Sequence, residues 1–478
     1  MPSNHKSKFR RPTMPKLRNI LKTFLPLFFG YLGEVTIGAT DIVMIGYLGT
    51  DELGAVGLAL SVYHILETIG WGMLFPVMIL ISHARGAARM RIVPTFIKQG
   101  LWMSGILFIP GGIVLWNLEA ILLATGQIPD LARMADHYMT YRMWAILPEF
   151  TYLVFVYALS AMDKNKIIAI VMWFGVVFNI ILNYVLIFGK FGFPAMGMAG
   201  AGLASVIVFT SIHMGLFGIL GFYGSLRSSV VFVRAWRPKW GVLARLFRLG
   251  WPKSFEWTIK NSQFSVAALL TGWFGAQAIA SHAIARQISY MVAVVISFGL
   301  ANAITIHIGV ASGQNKPGDI WHIFNSGLLL LFLFMLPLAV LLGLFPSWVV
   351  ALFVGSGQEA EILLPVAIPL IMFLALFILI DGLRTLGNDA LNGLADMKVP
   401  ALIATMAYWG VGLPAAALFG VVMERGVLGL WWGITLGVAV AATTYLLRFR
   451  WMVLRQREAP NGYKLRGTIK VSLSKTQT

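Results

Sequence analysis

The sequence predicts an all-α integral membrane protein, with twelve transmembrane helices in two six-helix lobes related by a pseudo-twofold axis. An apolar composition and an internal duplication lead to this fold class. The chain has 478 residues, of which 58% are hydrophobic and 12% charged, whereas soluble domains carry roughly 25% charged residues. Apolar stretches of about 20 residues, each long enough to cross a bilayer as a helix, recur along the whole length. Most of the protein surface is therefore expected to face lipid.

The apolar stretches define the spans and divide the chain. We place the spans near 18–46, 53–83, 94–123, 131–160, 166–188, 198–222, 243–271, 277–311, 320–345, 361–390, 399–421 and 427–449. The divisions are a basic N-terminal tail at 1–17, a first lobe at 18–222, a linker at 223–242, a second lobe at 243–450 and a basic C-terminal tail at 451–478. Tryptophans near span ends predict anchors at the membrane interface; they are Trp116, Trp431, Trp432 and Trp451.

An internal duplication relates the two halves. The segment Gly46–Gly49 reads GYLG, and its counterpart Gly272–Gly275 reads GWFG; Pro26 and Pro252 are separated by the same spacing. Both halves begin on the same side of the membrane, so the repeat is parallel and its axis follows the membrane normal. A duplicated hydrophobic chain is typical of transporters whose substrate site lies between two structural repeats.

The net charge of +18 is distributed unevenly. Lysine and arginine concentrate in both tails, in the linker and in the loops after spans two and four, which all lie on one side if the spans alternate. The loops of the other side hold only Arg133, Lys190 and Arg425. Cytoplasmic loops carry this positive excess, so we expect both termini in the cytoplasm and no nucleic-acid partner. Cysteine is absent, which excludes disulfides and thiolate metal sites.

Several segments together resemble a known family. They are Thr40–Gly46, Phe178–Tyr184, Leu249–Pro252, Ala280–Ala285 and Leu391–Asp396. In their order and spacing they resemble the multidrug and toxic compound extrusion (MATE) family, most closely its NorM-like branch. The resemblance covers nearly the whole chain. It implies two six-helix lobes around a central cavity and export of organic, typically cationic and hydrophobic, molecules driven by inward movement of sodium ions or protons.

The resemblance also implies roles for particular residues. Asp41 in the first lobe and Asp381 in the second match acidic positions of the family and would carry the coupling ion, and Asn179 and Asn183 match polar residues that line the first lobe. One position departs from the family: a glutamate is common eight residues after the proline that matches Pro252, and this chain has Lys260 there. The usual cation site of the second lobe is therefore in question.

The residues themselves point to the same groups, because an ionisable side chain inside a span costs roughly 2.5–3.5 kcal/mol on insertion scales. Asp41 has no basic neighbour on its helix turn, so it would hold a proton, bind a hard cation or make a structural hydrogen bond. Glu34 lies two turns earlier, as a second cavity carboxylate or as a solvated residue near the interface. Asp381 and Arg384 are three residues apart, as a structural ion pair or as a titrating carboxylate with a gating arginine.

The sequence leaves two possible partners for Lys260. It shares a helix face with Glu256, one turn earlier, and a Glu–Lys pair would be electrically neutral. Alternatively Lys260 reaches Asp381 across the second lobe and acts as a tethered cation in place of a mobile one. The candidate cation-coupling residues are Asp41, Asp381, Glu256 and Glu34, and the candidate substrate-cavity residues are Asn179, Asn183, Lys260 and Arg384.

We predict a secondary antiporter that exports small organic compounds, cationic and hydrophobic, in exchange for protons or sodium ions by alternating access. The alternative is an exporter or flippase of the same superfamily for an anionic, zwitterionic or lipid-linked substrate. A channel or membrane scaffold is a further rival. No enzyme signature occurs, so we expect no catalysis and no cofactor; the coupling ion is a proton, or sodium at Asp41 or Asp381. We expect a monomer in the plasma (inner) membrane whose partners are the lipid bilayer and a small-molecule substrate.

Overall fold

The computed structural model describes residues 14–222, 237–355 and 358–458. Within these ranges the chain is helical nearly throughout, and no strand occurs. Most of the two predicted tails and most of the predicted linker lie outside these ranges. The described residues therefore contain the two predicted lobes almost completely.

Twelve long helices make up the described residues. They are α1 (Met14–Gly46), α2 (Thr50–Gly86), α3 (Met90–Trp116), α4 (Pro129–Ala161), α5 (Asn165–Phe188), α6 (Met198–Phe222), α7 (Trp240–Thr271), α8 (Ala276–Gly313), α9 (Pro317–Leu344), α10 (Gln358–Gly393), α11 (Lys398–Val422) and α12 (Gly426–Glu458). Short helices follow α3 at Leu118–Ala124 and α9 at Pro346–Val354. An even number of helices that alternate in direction brings the first and last described residues, Met14 and Glu458, to one end of the bundle, which we call the terminal side.

Eleven of these helices are long and apolar enough to cross a membrane by length and composition. The exception is α7, which carries Lys253, Glu256 and Lys260. These charges lower the hydropathy of α7. Each of them is paired with an oppositely charged neighbour, as described below, and this pairing reduces the cost of burying the helix among apolar residues. The third span was predicted as one segment to 123, whereas the helix ends at Trp116 before a break at Asn117. The last helix continues to Glu458, beyond the predicted end at 449.

Local chemistry explains the interruptions within helices. The two segments of α2, Thr50–Leu74 and Pro76–Gly86, meet at Phe75, because proline lacks the N–H that would continue the hydrogen-bond ladder. The π-helical segment Ala293–Phe298 widens α8 at its middle. Such single insertions occur frequently at functional sites. Both interruptions fall on helices that form the contact between the lobes.

The backbone repeats the duplication seen in the sequence. Among the described residues, six non-glycine residues have positive φ, and they fall into three pairs that follow equivalent helices of the two lobes. The pairs are Ala88 (56°) with Asn315 (55°), Asp163 (64°) with Ala395 (62°), and Phe191 (55°) with Glu424 (55°). Left-handed conformations of non-glycine residues are uncommon, so their matched recurrence indicates a shared ancestral fold. The predicted architecture of two six-helix lobes is confirmed.

Each lobe has its own apolar core, and the lobes meet on the terminal side. The core of the second lobe includes Ile20 and Phe24 from α1, and that of the first lobe includes Leu243 and Leu246 from α7. The first helix of each lobe therefore packs into the other lobe near its terminal-side end. Gly250 brings the backbone of α7 directly against α2, where a Cβ atom would lie 2.5 Å from a backbone oxygen.

One predicted interfacial anchor was wrong. Trp431 is fully buried in the second core, where its indole N–H donates to His282 Nδ1 at 3.2 Å. Position near the start of α12 suggested an interface, but the helix packs Trp431 inward against Phe264 and Phe377. Trp116 and Trp432 are exposed by 67% and 49%, as expected of anchors.

Candidate functional site

Asp41 on α1 is held by side chains from two other helices of the first lobe. Asn179 and Asn183, one turn apart on α5, donate from their amide nitrogens at 2.9 and 2.6 Å, and Ser205 on α6 donates at 3.1 Å. Asp41 is 9% exposed, and both asparagines are fully buried. We call these four residues the first-lobe ion site. Residues four apart share a helix face, which is why both asparagines reach one carboxylate.

The carboxylate of the first-lobe ion site has no basic side chain beside it among the described residues. Among residues 14–222, 237–355 and 358–458, no basic nitrogen lies within 4 Å of Asp41. The Oδ1 atoms of Asn179 and Asn183 are buried and have no hydrogen-bond partner. A carboxylate beside two unpaired amide oxygens is an oxygen-rich set that suits a hard cation or a proton. The asparagines were predicted to line the substrate cavity, and that role stays a prediction; in the structure both donate to Asp41.

Glu34 lies apart from the first-lobe ion site. Its carboxylate accepts a hydrogen bond from the Tyr152 hydroxyl at 2.9 Å. It borders a pocket that Tyr31, Tyr152 and aliphatic side chains line. The prediction placed Glu34 on the same face as Asp41, and the structure gives the two carboxylates different partners. Glu34 is thus a second, separate acidic group of the first lobe.

A buried ion pair stabilises the middle of the first lobe. Arg142 Nη2 lies 2.7 Å from Glu149 Oε1, and Tyr63 donates to Glu149 at 2.6 Å while it accepts from Arg142 at 3.0 Å. The guanidinium lies over the Tyr63 ring. Arg142 was not among the residues predicted from the sequence, although it lies seven residues, or two helical turns, before Glu149 and therefore on the same face. That spacing within one span was the signal that could have identified it.

Asp381 in the second lobe is paired with two cations. Arg384 Nε lies 2.7 Å from Asp381 Oδ1, and Lys260 Nζ lies 3.1 Å from the same oxygen. The predicted contact between Lys260 and Asp381 is present. Arg384 is 2% exposed and also donates to Thr385, so it lies within the lobe and not on an open cavity wall.

The remaining acids of the second lobe share Lys253. Its ammonium lies 3.4 Å from Glu256 and 3.3 Å from Asp389, and it is fully buried. Asn388 donates to Glu256 at 2.5 Å and Asn392 to Asp389 at 2.6 Å. Lysine at 253 and not at 260 therefore neutralises Glu256. Among the described residues of this cluster, three cations face three carboxylates.

Both lobes match one family description. The MatE family model matches residues 26–185 and 252–418, with one match in each lobe. The chain belongs to the MatE family. The resemblance to MATE proteins stated from the sequence is thereby confirmed, and the protein is a multi-pass membrane transporter.

Similar proteins agree with this assignment to the MATE family. The "Probable multidrug resistance protein NorM" of Brucella suis biovar 1 is 33% identical over 452 residues, which cover 92% of this chain and 96% of that protein. The crystal structure of the eukaryotic MATE transporter AtDTX14 superimposes with a TM-score of 0.83 at 18% identity, covering 94% of this chain and 99% of that one. A multidrug resistance MATE family transporter of the MOP superfamily in an outward-facing conformation gives 0.83 at 20% identity, covering 92% and 97%. These two structural likenesses show the fold.

The lobes of this MATE protein are joined on the terminal side. Lys16 contacts Asp319 at 2.5 Å, and His83 Nε2 lies 2.8 Å from the Gly393 carbonyl oxygen. Towards the middle of the bundle, Asn302 donates to the Tyr31 hydroxyl at 2.5 Å. The hydrogen bonds and ion pairs that join the lobes, in the part of the chain described, lie between the terminal side and this level.

Proposed function

We propose that this MATE protein is a secondary antiporter that exports small organic compounds from the cytoplasm in exchange for an inward-moving cation. The observation that carries the proposal is the contrast between the lobes. Asp41 is a buried carboxylate with neutral partners only, whereas Asp381 is paired with two resident cations. A site with an unbalanced negative charge is where an exchangeable cation would bind.

Cation movement is coupled to substrate export when each ligand binds one conformation of the protein more tightly than the other. A ligand shifts a conformational equilibrium only by binding one state better than the other. The first-lobe ion site draws its groups from α1, α5 and α6, so movement of α1 relative to α5 would change the donors around Asp41. In this proposal, cation binding at Asp41 favours the return to the inward-open state, and substrate favours release of the cation. The terminal side is the cytoplasmic side in a plasma membrane, as the distribution of basic residues indicates.

The proton is the coupling ion that we propose. Burial disfavours the charged form of a carboxylate, and proton uptake by Asp41 removes its charge without any change in ligand geometry. Sodium is a second candidate, because the unpaired Oδ1 atoms of Asn179 and Asn183 would become its ligands after rotation of the amides. An amide rotation of this kind exchanges oxygen for nitrogen with little change in shape.

Lys260 takes the place of a mobile cation in the second lobe. Its ammonium contacts the same oxygen of Asp381 as the Arg384 guanidinium does, and Lys253 supplies the same neutralisation to Glu256 and Asp389. Under this proposal neither Glu256 nor Asp381 exchanges a cation during transport. The charges of the second lobe then stay the same throughout the cycle, and a single coupling ion moves per cycle through the first lobe.

Efflux from proteoliposomes tests the proposal. The interior is loaded with a fluorescent organic cation, and a proton gradient or a sodium gradient is imposed separately on the wild type, Asp41→Asn and the exposed control Asp51→Asn. We expect proton-driven efflux in the wild type and in the control, and at least a tenfold lower rate in Asp41→Asn. Undiminished gradient-driven efflux in Asp41→Asn would refute the coupling role, and efflux driven by sodium alone would replace the proton by sodium.

A further inference from the structure

A groove runs between α5 and α6 on the outer surface of the first lobe. It has a volume of about 280 Å³, and the residues that line it include Ile170, Phe174 and Phe178 of α5 and Ser211 and Gly215 of α6. Ile170 and Phe174 are exposed by 70% and 68%. Because α5 is long and apolar enough to cross a membrane, this exposed apolar surface faces the lipid hydrocarbon, away from the buried first-lobe ion site.

Small residues on α6 form the groove. The Ser211 hydroxyl turns back to its own helix and donates to the Ile207 carbonyl at 2.7 Å, and Gly215 has no side chain. A Cβ atom at Gly215 would lie 3.9 Å from Val171 Cγ1, which is an ordinary contact. The packing of α5 against α6 therefore does not require glycine at this position, and the groove can be filled by substitution without moving the helices.

A lysine lies at the terminal-side end of the groove. Lys166 is exposed and precedes Ile170 by four residues, which places it on the same helix face and about 6 Å nearer the terminal side. Phe178, at the other end of the groove, lies about 12 Å beyond Ile170. One leaflet is about 15 Å deep, half of the hydrocarbon core. The groove therefore has the depth of one acyl chain, and Lys166 lies at the level of the headgroups.

The outer face of α11 in the second lobe repeats this pattern of charge and apolar residues. At one constant spacing in the chain, the counterparts of Lys166, Ile170 and Phe174 are Lys398, Leu402 and Met406. All three counterparts are exposed. The second lobe thus offers an internal comparison, with the same charge at the same end of the equivalent helix.

The neighbouring helix α12 differs from its counterpart α6 in the size of its side chains. Equivalent glycines with positive φ, Gly197 (56°) and Gly426 (58°), mark the starts of the two helices. The positions 14 and 18 residues further on hold Ser211 and Gly215 in α6, and Val440 and Thr444 in α12. Larger side chains at these positions leave less room between α11 and α12, so the pattern of lysine and groove is specific to the first lobe.

We propose that the groove between α5 and α6 binds an anionic phospholipid of the terminal-side leaflet, with one acyl chain between the helices and the phosphate at Lys166. A zwitterionic phospholipid fills the groove equally well, but its headgroup brings no net negative charge to the lysine. One lysine near the membrane surface should favour the anionic lipid about fivefold. The charge of Lys166 therefore sets the preference for the headgroup, and the groove holds the chain.

The bound acyl chain contacts the two helices that supply hydrogen-bond donors to Asp41. Phe178, at the deep end of the groove, directly precedes Asn179 on α5, and Ser211 lies six residues after Ser205 on α6. Helices in lipid associate through van der Waals packing and not through the hydrophobic effect, so a chain packed between α5 and α6 adds to their contact. The lipid is then a structural partner of the helices that hold the first-lobe ion site.

The test is native mass spectrometry of the purified protein in detergent, which gives the dissociation constant of the first lipid bound. The probes are palmitoyl-oleoyl phosphatidylglycerol, which is anionic, and palmitoyl-oleoyl phosphatidylcholine, which is zwitterionic and has the same chains. Dihexanoyl phosphatidylglycerol carries the anionic headgroup on chains too short to fill the groove.

Three variants are compared with the wild type. Lys166→Gln removes the charge, and Ser211→Val/Gly215→Thr gives α6 the side chains that α12 has. Lys398→Gln is the matched control, because it removes the equivalent lysine of the second lobe. Melting temperature and elution profile confirm that each variant is folded.

We expect the wild type and Lys398→Gln to bind the long-chain phosphatidylglycerol about fivefold more tightly than the phosphatidylcholine, and Lys166→Gln to bind the two equally. The double variant should bind both long-chain lipids roughly fivefold more weakly, since about ten close carbon contacts are lost, and should bind the short-chain lipid as the wild type does.

Three results would overturn the proposal. They are equal binding of the two long-chain lipids by the wild type, the same loss of preference in Lys398→Gln as in Lys166→Gln, and unchanged lipid binding by the double variant. A dimer that the wild type forms and the double variant does not would replace the lipid in the groove by a second copy of the chain. None of these results depends on transport, so the proposed exporter function is tested separately.

Discussion

Replacement of Lys260 by glutamate should convert the fixed charge of the second lobe into a cation site. Lys260 Nζ lies 3.1 Å from Asp381, and at an effective dielectric constant of 20 the gross attraction over that distance is about 5 kcal/mol. Breaking a buried pair by removing one partner costs about 3–5 kcal/mol. Because Arg384 remains 2.7 Å from Asp381, we expect Lys260→Glu to lower the free energy of unfolding by about 3 kcal/mol, at the lower end of that range.

The variant should recover stability when a cation binds. The wild-type cluster contains three cations and three carboxylates. In the variant it contains two cations and four carboxylates, so the cluster gains affinity for sodium or protons. A ligand present at 100 times its dissociation constant stabilises the folded state by about 2.7 kcal/mol, which would return most of the loss. Thermal unfolding in detergent is measured in sodium chloride and in choline chloride at equal ionic strength, at two pH values.

A matched variant separates this effect from a general change in charge. Lys190→Glu makes the same substitution at an exposed loop residue and should respond to sodium as the wild type does. A melting temperature of Lys260→Glu that is no more sensitive to sodium or pH than that of the wild type, together with unchanged ion dependence of transport, would refute the interpretation of Lys260 as a resident cation.

Two further outcomes follow from contacts within and between the lobes. Arg142→Leu should lower the free energy of unfolding by about 3–5 kcal/mol because it leaves Glu149 buried and unpaired. The double variant Arg142→Leu/Glu149→Met should recover most of that loss. If chemical unfolding showed the double variant to be as unstable as Arg142→Leu, this expectation would be wrong. Lys16→Cys/Asp319→Cys in this naturally cysteine-free chain should be cross-linked by a short bis-methanethiosulfonate, which forms a disulfide with each cysteine and releases two sulfinates. The cross-link would stop efflux until a reductant cleaves the disulfides. Full efflux by the cross-linked protein would show that the contact does not open during transport.

The fold was predictable from the sequence because the membrane imposes it. Lipid offers no hydrogen-bond partners to the backbone, so each apolar stretch must satisfy its own backbone groups as a helix, and the recurrence of Gly46–Gly49 at Gly272–Gly275 identified the two lobes. The helix α7 is less apolar than the other eleven. The sequence nevertheless predicted a span at 243–271, and Pro252 matches Pro26 in the repeat.

The candidate site was predictable only in part. Asp41 and Asp381 were recognised because ionisable residues are rare in spans, and the two asparagines were recognised from the family resemblance. The partners of Asp41, and Lys260 as one partner of Asp381, lie on other helices. The Oδ1 atoms of Asn179 and Asn183 beside Asp41, and the ion pair of Arg142 with Glu149, depend on how helices rotate against one another.

The sequence by itself determined the number of helices, their duplication and the identity of most buried charges, since hydropathy and spacing are properties of the chain. Only the tertiary structure decided which charges are neutralised and which remain unpaired. Lys253 and Lys260 lie on one helix, yet packing places one between Glu256 and Asp389 and the other on Asp381. Charge pairing depends on distances of a few ångströms between helices, and no periodicity along a single helix encodes those distances.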